Sequence, residues 1–506
     1  MAKQQVYQFD NGATLIYQKQ SVFNGYSFVM GFRSGAQLDG KYKGLSHLLE
    51  HLLFRTPSKN VKNNVLTNVL KYSINQNAFT SKDAIMTEFS ATSNNVEMAL
   101  DNIVGTFCNK YFTEAQIAKE VEVIKHEIAM LKDASSGELS AVDALILSLQ
   151  KEQSKFSKLD LGGSTRTLNT VTPAILKRYM ERYFNSDNLV ISVTSNQSIE
   201  KVVELCNNHI FSRLPRAKNE KYIVPFPKIV EFNDLNAYYV VPNPYQYNVT
   251  VDLLLRERST YSENPDKEYA FNVIEEYLFN GVGGIMEDVL REKNSLVYLY
   301  SMENLDYGTS KFKVFNAVTN QTKLRKTISE ICKMIREIGE NGVPKEKFEI
   351  VKNVLTDIQN AKLNKFKSCS AMGNYSDFIQ GIPFVDYKKA EKFIQNMTHE
   401  DFNNYIMPIF QAAQVSLAVE GPVDTRKVYN LVEVEEMLGN YSHSDQWQYL
   451  NVPIMQTTQM PDYKTEVLTQ MAEQLIEGER QQKEIDDITE QEERGKIIRI
   501  DNEKVN

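Results

Sequence analysis

Cysteine, histidine and tryptophan are all scarce in this chain of 506 residues, with four, six and one respectively. Cys108, Cys206, Cys332 and Cys369 are far apart and form no CxxC pair. That spacing excludes a disulfide-stapled mini-fold and a cysteine-built zinc finger, and it reads as reduced thiols in a cytosol. Apolar runs are short, and none is long enough to span a bilayer. The segment Met1–Tyr7 has neither an apolar signal core nor the Arg-rich character of a transit peptide. Positive charge is in deficit: 57 Lys and Arg against 65 Asp and Glu leave a net charge of −8. A balance of that sign argues against general nucleic-acid binding. The glycine-rich run Gly281-Val282-Gly283-Gly284 is not followed by Lys-Ser/Thr, so it is no phosphate loop. Together these absences predict a cytoplasmic protein that works without nucleic acid or membrane.

A chain of this length should hold more than one domain, and a weak internal repeat supports two. Thr172-Pro173-Ala174-Ile175-Leu176-Lys177-Arg178-Tyr179 is followed by Leu189–Val193. Thr398-His399-Glu400-Asp401-Phe402-Asn403-Asn404-Tyr405 is followed, at the same offset, by Val415–Val419. Each unit reads as a short helix, a turn and a buried strand. The expected organisation is an N-terminal domain over 1–213, a linker over 214–228 carrying Pro215, Pro225 and Pro227, and a C-terminal domain over 229–440. A polar extension over 441–506 follows. Its Glu466–Arg494 stretch is acidic and Gln-rich, and Gly478 and Gln482 interrupt any heptad. It reads as a solvated or partner-dependent helix, with a short extended end around Ile497–Ile500.

What the chain does have is His47-Leu48-Leu49-Glu50-His51. On a helix, positions i and i+4 share a face, so both imidazoles can reach one metal ion. Glu50 lies beside that face, where a carboxylate can accept a proton from an activated water. The order H-x-x-E-H is the reverse of the commoner H-E-x-x-H zinc peptidase motif. The alternative is an ordinary amphipathic helix whose leucines are core and whose histidines are satisfied by neighbours. A third ligand would decide, because a catalytic zinc usually has three protein ligands and one open position. The segment Glu120–Met130 is strongly helical, and Glu120 and Glu127, seven residues apart, fall on one face. Glu127 can serve as the third ligand, with Glu120 two turns away behind the site. His126 is a rival ligand on a different face.

These segments resemble the pitrilysin/insulinase family of zinc metallopeptidases. Phe9–Tyr17 resembles the family's opening strand-turn-strand, and Gly31-Phe32-Arg33-Ser34-Gly35-Ala36 the strand end and glycine turn before its metal helix. Gly44–Phe54 matches that helix itself. Ser46 before the first His and Arg55-Thr56-Pro57 after the helix are mild departures. The family's third ligand is a Glu about 76 residues after the second His, with another Glu seven residues before it; Glu127 and Glu120 fit. The resemblance thus implies one zinc ion per chain held by His47, His51 and Glu127, with Glu50 as general base and Glu120 in support. Asn77-Ala78-Phe79-Thr80 resembles a stretch that leads into an edge strand of the active-site sheet. There an extended peptide can add by backbone hydrogen bonds. Ile85–Ser90 alternates as a half-buried strand should. Leu290–Tyr298 resembles the family's Arg-Glu-x-x-x-Leu-x-Tyr, which implies that Arg291 and Tyr298 hold substrate and help stabilise an oxyanion.

The fold class so implied is α+β: two duplicated domains, each a mainly antiparallel sheet flanked by helices, together half of a clamshell. The activity implied is a zinc endopeptidase acting on peptides or unfolded segments. Two domains make half of the family's closed chamber, so a homodimer or a heterodimer with a related chain is expected. Arg291 and Tyr298 would then reach the zinc of the partner. Two alternatives stand beside this reading: a zinc-bearing subunit that needs a second chain, and a peptide-binding subunit without catalysis.

Overall fold

The computed structural model describes residues 4–20, 24–55, 75–108, 111–134, 140–151, 162–163, 165–227, 230–233, 235–243, 246–258, 264–307, 310–366, 370–412, 414–439 and 448–449. Of the polar extension expected over 441–506, only Gln448–Tyr449 is among them; the stretches Glu466–Arg494 and Ile497–Ile500 lie outside the described residues. The first sheet contains β1 (Gln5–Gln8), β2 (Thr14–Lys19), β3 (Gly25–Phe32), β4 (Asn75–Thr80), β5 (Ile85–Thr92) and β6 (Leu189–Ser195). Their spatial order is β1-β2-β6-β3-β5-β4. Helices α1 (Leu45–Arg55), α2 (Val96–Phe107), α3 (Glu114–Ala134), α4 (Ala141–Leu149), α5 (Pro173–Tyr183) and α6 (Ile199–Leu205) accompany it in sequence.

The second sheet follows β7 (Leu235–Asn236) and contains β8 (Tyr238–Pro242), β9 (Val249–Arg258), β10 (Leu299–Asp306), β11 (Ser310–Thr319) and β12 (Gln414–Gly421). Read from the other edge, its order is β8-β12-β9-β11-β10. This repeats the order β2-β6-β3-β5-β4 strand for strand. The pairing sense repeats too: β2 runs parallel to β6 as β8 does to β12, and the remaining neighbours are antiparallel. The helices of this half are α7 (Pro265–Asn280), α8 (Leu324–Asn341), α9 (Lys345–Phe366), α10 (Ser370–Gln380), α11 (Tyr387–Asn396), α12 (His399–Ala412) and α13 (Leu431–Leu438). The repeat read from sequence is therefore α5-β6 and α12-β12, which occupy matching places in two copies of one α+β plan. Gln448–Tyr449 pairs in parallel with β7.

Both sheets are covered on both faces, which is why every residue of β6 and β12 is buried, small polar side chains such as Ser192 and Ser416 among them. On one face of the first sheet Leu15, Phe28, Met30, Phe32, Ile191 and Val193 pack against its own helices. On the other, Ile16, Val29 and Val190 meet Ala371 and Tyr375 of α10, a helix of the second half. The reverse exchange holds as well. Ala141, Leu145, Ile146 and Leu149 of α4, a helix of the first half, cover Leu254, Val314 and Ala418 of the second sheet. Polar bonds pin each crossing: Asn374 of α10 donates to Gln18 at 3.0 Å, and the Ala141 amide at the start of α4 donates to Glu420 at 2.9 Å. Each half thus lends one helix to the other. The segment expected as a linker keeps to the first half in places. Arg216 and the Ala217 amide both bond Asp187 at 2.7 Å, and Phe226 lies under the Arg33 guanidinium, 4.1 Å from ring centroid to carbon.

The edge strand needs a correction. The alternating stretch Ile85–Ser90 belongs to β5, which lies between β3 and β4 and is not exposed at an edge. The edge is β4 itself, so Asn77, Ala78 and Phe79 lie on the edge strand rather than leading into it. Alternation reports that one face is buried; whether a neighbour pairs on the far side is a tertiary matter.

Two predictions follow from this packing. Gly35 sits against the turn that joins β4 to β5. The Ala36 and Gln37 amides donate to the Ser81 and Lys82 carbonyls at 3.1 Å each. A Cβ on Gly35 would run into those same two carbonyls. Gly35→Ala should therefore destabilise the protein by about 1–3 kcal/mol by overpacking, read as a lower midpoint in denaturant. Asp252 on β9 is the second case. Burial pushes its carboxyl up from 3.8 to about 6, with the Asn316 amide at 2.7 Å opposing and Glu303, Glu420 and Asp143 adding to the rise. A carboxyl raised in the folded state favours folding below its unfolded value. That contribution is lost as pH rises through about 6. Stability should fall between about pH 4 and pH 7 by an amount on the order of 3 kcal/mol from this group. In Asp252→Asn that part of the slope should vanish, as measured by denaturant titrations across pH.

Candidate metal centre

Helix α1 is amphipathic in the plain sense: Leu48, Leu49, Leu52 and Leu53 are buried in the core of the first half. That burial fixes the helix roll and turns His47 and His51 together toward α3. Their rings lie 4.7 Å apart between centroids at 87° to one another. From α3, Glu127 directs one oxygen, Oε2, at both imidazoles, 3.5 Å from Nε2 of His47 and 3.5 Å from Nε2 of His51. One ligand atom from each of the three side chains lies within 4.8 Å of the others. Two imidazole nitrogens and a carboxylate oxygen, three protein donors among the described residues, fit the donor set of a catalytic zinc site. Among the described residues this is the group of His, Cys, Asp and Glu side chains so arranged. His126, the rival ligand, is exposed and outside the group.

Contacts behind the ligands hold the arrangement. Glu120, buried one helical face behind, places Oε2 3.3 Å from Nδ1 of His51. With Nδ1 as the donor, Nε2 of His51 is left with its lone pair toward Glu127. Arg55, the last residue of α1, lies 3.9 Å from the other oxygen of Glu127, Oε1. Burial lowers the proton affinity of both imidazoles. For His47 the Glu127 charge opposes this, and for His51 the neighbouring His47 and Arg55 add to it. Neutral rings are the form a metal accepts.

Glu50 stands beside the ligands and not among them. Burial raises its carboxyl to about 7, with the Arg55 charge pulling the other way. Its Oε2 accepts from the Thr80 hydroxyl at 3.4 Å. Thr80 ends β4, so the carboxylate that can handle a proton is tied to the free edge of the sheet. Phe79, 37% exposed, is the neighbouring side chain on that edge. The structure therefore brings Glu50, Glu120, His47, His51 and Glu127 together and sets Asn77, Ala78 and Phe79 on the strand beside them.

Arg291 and Tyr298 are placed elsewhere, in the second half. Arg291 lies in the helical turn Glu287–Glu292 and pairs with Glu287 of the same turn at 3.6 Å. Tyr298, just before β10, is 78% exposed. The contacts found for the two imidazoles all come from the first half. Reading the sequence alone missed Asp39, which is buried below the N-terminal end of α1. Its Oδ2 accepts from the Gly44 amide at 2.9 Å and its Oδ1 from the Ser46 amide at 3.0 Å and the Ser46 hydroxyl. A carboxylate a few residues ahead of a helix start is the one signal that pointed to it.

Known proteins resemble the chain at each of these levels. Residues 27–156 match the Insulinase (Peptidase family M16) family, and residues 170–355 match the Peptidase M16 inactive domain. An uncharacterized zinc protease of Rickettsia felis is 24% identical over 424 residues, 82% of this chain and 97% of that protein. The uncharacterized zinc protease YmfH of Bacillus subtilis is 25% identical over 321 residues, 61% of this chain and 69% of its own. Among solved structures, a protease from Helicobacter pylori superposes with a TM-score of 0.64 at 16% identity, covering 83% of this chain and 100% of that one. A peptidase M16 inactive domain from Pseudomonas fluorescens gives 0.64 at 15%, covering 83% and 98%. These structures share the fold with two helix-flanked sheets described above. No described helix is long and apolar enough to cross a membrane. With two M16 regions matched in tandem, and relatives matched along nearly their whole length bearing the zinc protease name, the chain belongs to the pitrilysin/insulinase family.

Proposed function

We propose that the protein is a zinc-dependent endopeptidase of peptides and unfolded segments, acting in a cytosol. The observation that carries this is the convergence of His47, His51 and Glu127 beside an independently placed Glu50. Bound there, zinc supplies Lewis-acid polarisation of the scissile carbonyl and lowers the pKa of water. The chain's own residues do the rest. Glu50 takes a proton from the attacking water and later delivers it to the leaving amine, a role suited by a carboxyl whose proton affinity lies near neutrality. Glu120 keeps His51 in one tautomer. The edge β4 takes the peptide as an added strand through backbone hydrogen bonds, with Asn77, Ala78 and Phe79 beside it, so that the scissile bond falls next to Thr80 and Glu50. The buried thiols of Cys206 and Cys332 are compatible with a reducing compartment.

The second half contributes Arg291 and Tyr298 from a different place in the chain. Their exposure favours a role at the centre of a partner chain, so the working unit is a dimer, either of two copies or with a related chain. The match of residues 170–355 to an M16 inactive domain fits a half that supports and does not carry the metal.

The purified chain should bind one zinc ion and cleave a quenched mixed-peptide library. Chelator should abolish cleavage and added zinc restore it. Glu50→Gln should keep the zinc and lose about 100-fold or more of the rate, since a positioned general base typically contributes that much. Full cleavage by Glu50→Gln would reject Glu50 as the base. If the partner supplies the arginine, mixing Glu50→Gln chains with Arg291→Ala chains should restore activity that neither has alone. The absence of any recovery, with both variants inactive alone, would overturn the supply of Arg291 by the partner.

A further inference from the structure

His47 and His51 are not held alike. His51 has Glu120 behind its Nδ1 at 3.3 Å. His47 lies in the first turn of α1, where backbone amides lack helical partners and the turn is prone to fray. Among the described residues its Nδ1 is buried without a hydrogen-bond partner, and the Gly162 backbone, whose carbonyl oxygen lies against Gly44, acts on the ring as a nearby acceptor.

Two arms close on that turn. From below, Asp39, 2% exposed, accepts the Gly44 and Ser46 amides and the Ser46 hydroxyl. The Ser46 oxygen lies 2.9 Å from the Tyr179 hydroxyl, which itself lies 2.9 Å from the Ser34 carbonyl. From above, Gly162 and Gly163 press on Gly44 backbone to backbone. Gly44 and Gly163 have φ of +90° and +88°. A Cβ on Gly44 would lie 2.7 Å from the Gly163 Cα, and one on Gly163 would lie 2.6 Å from the Lys43 carbonyl oxygen. The Thr167 hydroxyl donates to that same Lys43 carbonyl at 3.0 Å.

We propose that Asp39 and the Gly162-Gly163 backbone form a collar that positions His47: the collar fixes the first turn of α1 and presents the Gly162 carbonyl to Nδ1, so that Nε2 faces the metal. The proposal rests on the reading of His47 as a zinc ligand. Asp39 is a positioning residue, because it touches the helix that carries the ligand and not the ligand. The collar does for the first histidine what Glu120 does for the second, using backbone where the other uses a side chain. Contacts behind a ligand set its tautomer and ring angle, and losing one typically costs 10–100-fold in metal affinity.

Asp39→Asn is the near-isosteric test. An amide in place of the carboxylate turns one acceptor into a donor, which then opposes either the Gly44 or the Ser46 amide. Gly163→Ala tests the second arm by lifting the Gly162 carbonyl away from the ring, and it carries the test should Asp39→Asn not fold. Zinc affinity is read by competition with a chelator, and ligand geometry by the visible absorption of the cobalt-substituted protein. The thermal midpoint of the metal-free protein is read in parallel. Each variant should bind zinc about 10–100-fold more weakly and change the cobalt spectrum. A purely structural role would lower the metal-free midpoint and leave the cobalt spectrum of the folded fraction as in the parent. That result, or parental zinc affinity in both variants, overturns the collar. A parent protein that takes up no zinc overturns the underlying ligand reading, and the collar with it.

Discussion

The centre depends on one packing contact, that of α1 against α3. Leucines at 48, 49, 52 and 53 drive α1 into the core and leave its remaining stripe, with His47 and His51, to face the neighbouring helix. The same core holds Val121, Ile124 and Ile128 of α3, which turns Glu120 and Glu127 toward the imidazoles. Neither helix can rotate to relax the site without exposing apolar surface, at roughly 25 cal/mol per Å². The hydrophobic effect thus sets the coordinates of groups that are themselves polar. The positions of the donor groups are thereby set by leucine, valine and isoleucine packing.

A second constraint works at larger scale. The two sheets share one strand order, yet each relies on the other for a cover. Tyr375 of α10 comes so close to Gly31 in β3 that any side chain there would collide with its ring. In return α4 covers the second sheet, anchored by Glu420 at its first turn. A domain cut at the segment 214–228 would leave one face of each sheet bare. The second half therefore supports the first physically, while its own histidine, His399, bonds within that half, to the Val343 carbonyl and Asn403.

The parts of the site legible in the sequence were those with a local rule. Four residues between histidines is one helical turn and a fraction, and seven between glutamates is close to two; both sets therefore share a face whatever the tertiary fold. The duplicated helix-strand unit was legible because β6 and β12 are buried on both faces and so are mostly apolar, Leu189–Val193 and Val415–Val419 each broken by a single serine. No spacing rule reaches from Asp39 to Ser46 across the loop between them, or from Gly162 to His47, since those contacts exist only after α1 has docked. The edge position of β4 was invisible for a related reason. Alternation in Ile85–Ser90 is equally consistent with an inner strand, and the strand order that decides the matter depends on β3. The exchange of α4 and α10 between halves left no trace either, because an amphipathic helix does not record which sheet it will cover.

Burial has opposite effects on the groups of this centre, and the difference sorts them into roles. It lowers the proton affinity of His47 and His51, which keeps two lone pairs available for a cation. It raises that of Glu50, which makes a carboxylate there a better base than one in water. Arg55 acts on several of these: it opposes the rise at Glu50 and Glu120, adds to the lowering at His47 and His51, and lies 3.9 Å from Oε1 of Glu127, the oxygen that does not face the imidazoles. The guanidinium at the end of α1 thus favours the ionised form of Glu50 while burial favours the protonated one, which leaves Glu50 able to gain and lose a proton. The division of labour between two glutamates follows from burial, which lifts Glu50 against the Arg55 charge, and from the place of Glu127 facing both imidazoles, and from nothing intrinsic to either side chain.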